Sequence, residues 1–397
     1  MSDTILIITI PPLTGGVPDK AKILSCYLKK RGHDVTVSHY ATYRDYPKLV
    51  VTLWQLLRGK KPSTHRGKCF CDLECVSIGC MLPELEFTYY LPSRAWRTII
   101  DDHQRHVVVG GTVLTSYFLS YLKLPHLVWC ASTMLEDRID RQRSMSIIKR
   151  IFDRFIICPA QHFMEQKILA GNGHLMAVSS YTRNLLISVG GQPEKISRVP
   201  IPVNLKIFSP PPKAPKPRVI GFAGRAGDPR KNLSLLFSTL KSLIEYNSSF
   251  ELILTGNMEG PFEVLTKKLG IYNRVSWVGW LEDNDLPSFY RKLDVFVIPS
   301  TQEGLNIAGL QAMATAVPVV STYCGGPEDY VIHDKTGSLV SFNAEEMSSA
   351  ILNITEDREK RNTMGMSARK YVEDHYSHEQ FEESLHQAWY KIWGDKP

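Results

Sequence analysis

The densest set of chemically able side chains runs from Pro299 to Glu328, PSTQEGLNIAGLQAMATAVPVVSTYCGGPE. Glu303 and Gly304 fall between an expected strand and an expected helix. Gln311 lies two turns further along that helix, roughly on the side of Glu303 at ~3.6 residues per turn. The helix start, with Gly304, Leu305 and Asn306, offers backbone N–H donors to an anion. A carboxylate beside such donors can hold sugar hydroxyls without a metal. Upstream, GFAGRAGDPRKN carries Arg225, Arg230 and Lys231 just past a strand end. A guanidinium and an ammonium so placed suit a diphosphate, and a solvated basic turn is the plainer alternative. Near the N-terminus, Gly15 and Gly16 sit between a strand and a helix, where bare N–H groups can face a phosphate. The loop is not G-x-G-x-x-G, and the second strand, VTVSHY, lacks the acidic residue that holds a ribose 2′-OH, so a nicotinamide-dinucleotide enzyme is disfavoured.

The elements that position these residues alternate. Ile5–Ile10 is an apolar β-branched run suited to a buried parallel strand. A helix follows over AKILSCYLKK and closes at Gly32, and DVTVSHY reads as the next strand. HVVVGG, HLVWC, RFIICPA (154–160) and HLMAVSS read as further buried strands, and SYTRNLLISVG as a helix capped by Ser179 or Ser180. Residues 200–217 hold seven prolines, too many for a helix or a central strand, and read as an interdomain linker. Alternation then restarts. RVIGFAGR, FELILTGN, RVSWVGW, DVFVIPS and VPVVST are expected strands separated by helices, and the tail from Glu345 to Trp393 is mostly helical. The expected fold is α/β, with two Rossmann-like βαβ domains of parallel sheet facing a central cleft. The domains are 1–199, the linker 200–217, and 218–397, whose last helices can cross back to the first domain.

Composition sets the frame. Hydrophobic residues make up 43% of the 397 and charged residues 22%, which excludes disordered, collagenous and low-complexity classes. No apolar run reaches the ~18 residues of a membrane span. The N-terminus, with Asp3 and no basic region, does not read as a signal peptide. Eight cysteines in this length do not make a disulfide framework, so the expected location is the cytoplasm. Net charge is +7, but residues 1–200 carry +10 and residues 201–397 carry −3. The basic half therefore points to an anionic partner.

The C-terminal half resembles the donor-binding domain of the "group 1" family of retaining glycosyltransferases with the GT-B fold. That family's signature is similar to PSxxEGFGLxxLEAMAxGxPVVxxxxGGxxE. The resemblance extends to the N-terminal glycine loop, GHDVTV, AVSS, the PVN before the linker, and Arg225 with Lys231; it is close over 218–340 and loose before it. It implies that Arg225 and Lys231 hold the donor diphosphate, that Gly15 and Gly16 meet it from the other domain, and that Glu303 binds the sugar. It also implies that position 311 contacts the ribose and that the base lies near Trp280 and Leu281. Three positions depart from the family: Gln311 stands for a glutamate, Asn306 for a glycine, and Cys130 with Ala131 where a histidine is usual, His126 coming too early.

Other clusters read more plainly. Asp283-Asn284-Asp285 precedes a helix, with Asp285 as its N-cap rather than a metal ligand, and Asp101–Asp102 read as a solvated face. Cys69, Cys71, Cys75 and Cys80 lack paired zinc-knuckle spacing and read as small buried hydrophobes. Residues 49–68 pair an apolar stretch containing Trp54 with Arg58, Lys60, Lys61, Arg66 and Lys68. They read either as a core helix with a basic loop or as a patch for anionic lipid. No nucleic-acid motif accompanies the charge. The expectation is a metal- and cofactor-independent, retaining hexosyltransferase that moves sugar from a nucleotide-sugar donor to a glycan or lipid-linked acceptor. Its setting is cell-surface polysaccharide, lipopolysaccharide or glycolipid synthesis, in the cytoplasm or peripherally at the inner face of the membrane. The alternatives are a non-catalytic nucleotide-sugar binding subunit and another GT-B enzyme such as a sugar-nucleotide epimerase.

Overall fold

Apolar β-branched runs become the central strands of two sheets in the computed structural model, which describes residues 3–143, 145–212 and 216–397. The chain divides into two units, Met1–Val199 with Glu383–Pro397, and Pro200–Glu382. In the first unit the strands are β1 (Thr4–Thr9), β2 (Asp34–Tyr40), β3 (Thr64–Cys69), β4 (Leu73–Ile78), β5 (Arg105–Val109), β6 (His126–Cys130), β7 (Gly173–Ala177) and β8 (Ile196–Arg198). Their order in the sheet is β3-β4-β2-β1-β5-β6-β7-β8. All neighbours are parallel except β3, which pairs antiparallel with β4 in the register Gly67↔Cys75. Ile5, Leu6, Ile7 and Ile8 are fully buried, as a strand covered on both faces requires. Chain order reverses between β1 and β5, the switch point of a doubly wound sheet. There Gly15, at φ 99°, leads into the Gly16–Lys30 helix.

The second unit holds β9 (Val219–Phe222), β10 (Glu251–Leu254), β11 (Val275–Trp277), β12 (Val295–Ile298), β13 (Val319–Thr322) and β14 (Gly337–Val340). Their order is β11-β10-β9-β12-β13-β14, all parallel. The switch point lies between β9 and β12, paired as Val295↔Ile220 and Phe296↔Gly221. The loops after these two strands therefore leave the sheet side by side.

Several expectations are corrected. RFIICPA is helical: a π-type turn, Asp153–Ile157, joins the Ile147–Phe152 and Cys158–Leu169 helices. A short apolar run cannot by itself separate a buried strand from a helix, and here Phe155 and Ile156 point to solvent. Proline-rich 200–217 is packed, not a free tether. Ile201, Val203 and Phe208 are buried, Val203 N–H donates to Tyr376 O at 2.8 Å, and Arg291 and Arg369 donate to its carbonyls. Lys213, Ala214 and Pro215 lie outside the described residues. Residues 383–397 group with the first unit, in keeping with the expectation that the last helices can cross back. Cys71 is not a free hydrophobe but is disulfide-bonded to Cys26. The core-helix reading of 49–68 fails, because the Leu53–Leu57 helix buries none of its residues. Among the described residues no helix is long and apolar enough to cross a membrane.

Lys20, a polar residue the hydropathy pattern hides, is buried beneath the first helix. Its ammonium donates to Gly110 O at 3.1 Å and Trp129 O at 3.4 Å, at the ends of β5 and β6. Burial pushes its pKa down from 10.5 to about 8. In that window the unfolded chain holds a proton that the folded chain has released, so the stability of the native protein rises with pH there. Equilibrium unfolding of wild type and Lys20→Met from pH 7 to 10.5 tests this. Wild type should gain on the variant above about pH 8, with a limiting slope of ~1.4 kcal/mol per pH unit.

Candidate functional site

The loops after β9 and β12 build one constellation in the second unit. After β9, Gly224 takes φ 157° and donates its N–H to Thr255 Oγ1 at 3.1 Å. A Cβ at Gly224 would lie 3.5 Å from Lys231 Cε, so the chain passes close to the lysine stem. Asp228 caps the single turn Pro229–Lys231, accepting from Arg230 N–H at 3.1 Å. The same carboxylate takes both arms of the Arg230 guanidinium, at 3.1 and 2.8 Å. Burial raises the pKa of Asp228, but Arg230 outweighs it and the net direction is down. Arg225 reaches only to 3.8 Å from Asp228, and its side chain is 73% exposed. Arg225 is thus the cation presented to solvent, while Lys231, 16% exposed, is turned onto Glu303.

After β12, the chain is pinned residue by residue. Thr301 N–H donates to Arg230 O at 2.7 Å, Glu303 N–H to Cys324 O at 2.7 Å, and Gly326 N–H to Glu303 O at 2.7 Å. A Cβ on Gly326 would stand 2.4 Å from Leu305 Cα, so only glycine allows this approach. The Glu303 side chain is buried, and its Oε1 accepts three bonds. They come from Ser300 Oγ at 2.6 Å, Lys231 Nζ at 2.7 Å and Asn306 Nδ2 at 2.9 Å. Among the described residues Oε2 has no bonded partner. One carboxylate oxygen is held by three protein donors and the other by none of them. Cys324, beneath this carboxylate, has its thiol pushed up to about 12, first by burial and then by Glu303.

Asn306 explains one departure from the family pattern. It sits at φ 64°, ψ 82°, a left-handed conformation that asparagine tolerates better than other non-glycine residues. Its Oδ1 caps the Ile307–Ala314 helix by accepting from Gly309 N–H at 2.9 Å, while Nδ2 holds Glu303. This corrects the helix start. Residues 304–306 precede the helix because a residue at positive φ cannot join it, and Leu305 is buried. The first-turn amides not used by the cap are those of Ile307 and Ala308.

The remaining expected residues are more dispersed. Gln311 Oε1 accepts from the hydroxyl of the fully buried Tyr290 at 2.9 Å. Burial drives the Tyr290 pKa upward, so the phenol stays a donor. The Gln311 NH₂ is thereby left to point elsewhere. Trp280, 65% exposed, and half-buried Leu281 follow β11, where Gly256 and Gly279 exchange two backbone bonds. No bond joins them to Glu303 or Lys231. Gly15 and Gly16 belong to the first unit, and a Cβ on either would meet nothing within 4 Å. Asp285 occupies the N-cap position of the Leu286–Tyr290 helix without a side-chain bond. Cys130 is fully buried, and burial raises its thiol to about 12. The sequence reading did not find Ser300, Asp228 as the Arg230 partner, or Tyr290; serine two residues after Ile298 and the D-P-R-K turn are the signals that carried the first two.

Residues 204–371 match the family described as Glycosyl transferases group 1. The GDP-mannose-dependent alpha-(1-6)-phosphatidylinositol monomannoside mannosyltransferase of Mycobacterium tuberculosis is 27% identical over 237 residues, covering 54% of this chain and 60% of that protein. The chain thus spans less than two thirds of the curated relatives it matches. Among solved structures, sucrose-phosphate synthase from Thermosynechococcus elongatus superposes with TM-score 0.73 at 19% identity over 99% of both chains. Anabaena HepE in complex with UDP superposes with TM-score 0.72 at 15% identity, over 98% of this chain and all of that one. At these identities the likeness establishes the fold, which is GT-B with two Rossmann-like α/β units.

The double role of Asn306 has a measurable consequence. Asn306→Gly keeps the backbone accessible but removes the cap and the Glu303 bond, and should cost about 1 kcal/mol in denaturant unfolding. Asn306→Ala should cost more, by the ~1–2 kcal/mol of left-handed strain that glycine avoids.

Proposed function

We propose, on the premise that residues 204–371 belong to the group 1 glycosyl transferases, that the protein transfers a sugar from a nucleotide-sugar donor to a hydroxyl acceptor with retention and without a metal. The observation that carries this reading is the Glu303 carboxylate, held by Lys231, Ser300 and Asn306 through one oxygen and free at the other. Lys231 keeps two N–H bonds beyond the one it gives Glu303, and these suit a phosphate oxygen. Arg225 supplies a second cation, and the Ile307 and Ala308 amides lie at the positive end of a helix. As the glycosidic bond breaks, negative charge grows on the leaving diphosphate. Fixed cations and N–H groups stabilise that charge more in the transition state than in the ground state. Glu303 Oε2 accepts from a sugar hydroxyl and so orients the ring.

In this reading Trp280 and Leu281 flank the base. Gln311 serves the ribose as a donor through NH₂, because its carbonyl oxygen is committed to Tyr290. Gly15 and Gly16 offer the first unit's open helix start to a phosphate. The first unit takes the acceptor, a glycan or a lipid-linked sugar; the phosphatidylinositol monomannoside in the mycobacterial relative's name supports the lipid class. The exposed Leu53, Trp54 and Leu57, followed by basic residues, suit an anionic surface. A second reading, a donor-binding subunit without turnover, draws on one observation: the position where the family has a histidine holds buried Cys130, whose raised thiol pKa makes it no base.

Calorimetric titration with UDP-, GDP-, ADP- and TDP-sugars, without added metal, tests the site. One donor class should bind, and Lys231→Ala should weaken it by about tenfold or more, the scale of a charge-assisted bond. Equal binding by Lys231→Ala would refute the diphosphate assignment. Gln311→Glu retains an acceptor for Tyr290 and should bind the donor at least as well as wild type. Sugar transfer to acceptor extracts, followed by product analysis, separates the two readings: binding with no transfer selects the subunit.

A further inference from the structure

The first unit carries an apolar surface that the donor site does not use. The Ile147–Phe152 helix and its π-type continuation Asp153–Ile157 present Ile147, Ile148, Ile151, Phe152, Phe155 and Ile156 to solvent, with Ile148 81% and Phe155 68% exposed. At about 100° per residue these six occupy one half of the circumference. The other half ties the segment to the unit. Asp153 is buried and accepts from Arg138, itself buried, and from Gln142 Nε2 at 2.7 Å. Arg138 in turn donates to Gln161 at 2.6 Å and Glu86 at 3.0 Å, and Ile157 is buried beside this network. The helix is thus clamped by a buried polar network, with its apolar half turned outward.

Charge selects the occupant. Lys149 and Arg154 lie along the borders between the two halves and Arg150 on the tethered half, all exposed, and Asp153 is the sole acid from Ser146 to Ala160. Arg150 also donates to Gln142 O and Met145 O at 3.1 and 3.3 Å, which holds it beside the helix. Exposed Phe163, on the Cys158–Leu169 helix that continues the segment, falls on the same face, with Lys167 5.5 Å from its ring. Residues 1–200 as a whole carry +10. An apolar half-cylinder edged by cations, whose one acid between 146 and 160 is buried, is the pattern of a helix lying in a membrane interface. Anionic headgroups would meet the border cations while the six side chains enter the acyl boundary. We infer that the 147–156 segment docks the protein on an anionic lipid bilayer. The inference stands apart from the donor site and from residues 49–68.

Co-sedimentation of the full chain with vesicles tests it. The protein should pellet with mixed phosphatidylcholine–phosphatidylglycerol vesicles and remain in solution with phosphatidylcholine alone. Ile148→Ser/Phe155→Ser, on exposed positions, should lower the partition coefficient by about tenfold or more while circular dichroism and melting stay those of wild type. Lys149→Glu/Arg154→Glu should weaken binding most at low salt. Leu53→Ser/Trp54→Ser should retain most of it. Failure of wild type to pellet, or wild-type pelleting by the Ile148/Phe155 variant, would overturn the inference. So would a wild-type dimer that this variant dissociates without any vesicle binding, which would assign the face to a second copy of the chain.

Discussion

The ion pair between Lys231 and Glu303 exists because β9 and β12 are neighbours at the point where strand order reverses. Two loops separated by some seventy residues in sequence leave the sheet together, and each brings one charge. The carboxylate would be costly in this buried position without a partner. Lysine, serine and asparagine share its one oxygen, so the pair is embedded in a hydrogen-bonded network. The glycine at 326 is required by its close approach to Leu305. Remove the pair, and the turn at Asp228, the loop at Ser300 and the helix cap at Asn306 lose their common partner.

The same network leaves some polar atoms of these residues uncommitted. Glu303 gives up one oxygen to the protein and keeps the other. Gln311 gives its acceptor to Tyr290 and keeps its donors. Arg230 is spent on Asp228, whereas Arg225 is presented to solvent. Each of these divisions follows from a local hydrogen-bond requirement, and together they leave cations, donors and one acceptor at a single sheet edge. The substitutions of Asn306 for glycine and Gln311 for glutamate are compatible with this arrangement, because asparagine reaches positive φ and glutamine still accepts from the phenol.

Much of this was legible in the sequence. Buried parallel strands announce themselves as continuous apolar runs, and the residues at their ends, Glu303 and Lys231 among them, could be named before any geometry. What escaped has physical reasons. RFIIC is as apolar as a strand, yet Asp153 finds its partner in Arg138, a long-range contact that no local pattern encodes. β3, THRGKC, is an exposed edge strand with no alternation to reveal it. Lys20 hides in an amphipathic helix because its burial depends on two carbonyls from distant strands. The proline-rich segment 200–217 reads as a linker by composition, but Val203 and Phe208 pack and bond with residues up to the 376 region of the same unit. The helix start was misplaced by one residue type, since the left-handed turn at Asn306 is invisible without its backbone angles.

The central claim is that the Lys231–Glu303 edge is where an anionic donor binds. The most direct measurement is a crystal structure of the protein with the nucleoside diphosphate sugar that titration selects. The account predicts phosphate oxygens within hydrogen-bond reach of Lys231 Nζ and the Ile307 and Ala308 amides, and a sugar hydroxyl on Glu303 Oε2. A diphosphate bound elsewhere, with the Lys231–Glu303 pair untouched, would contradict it.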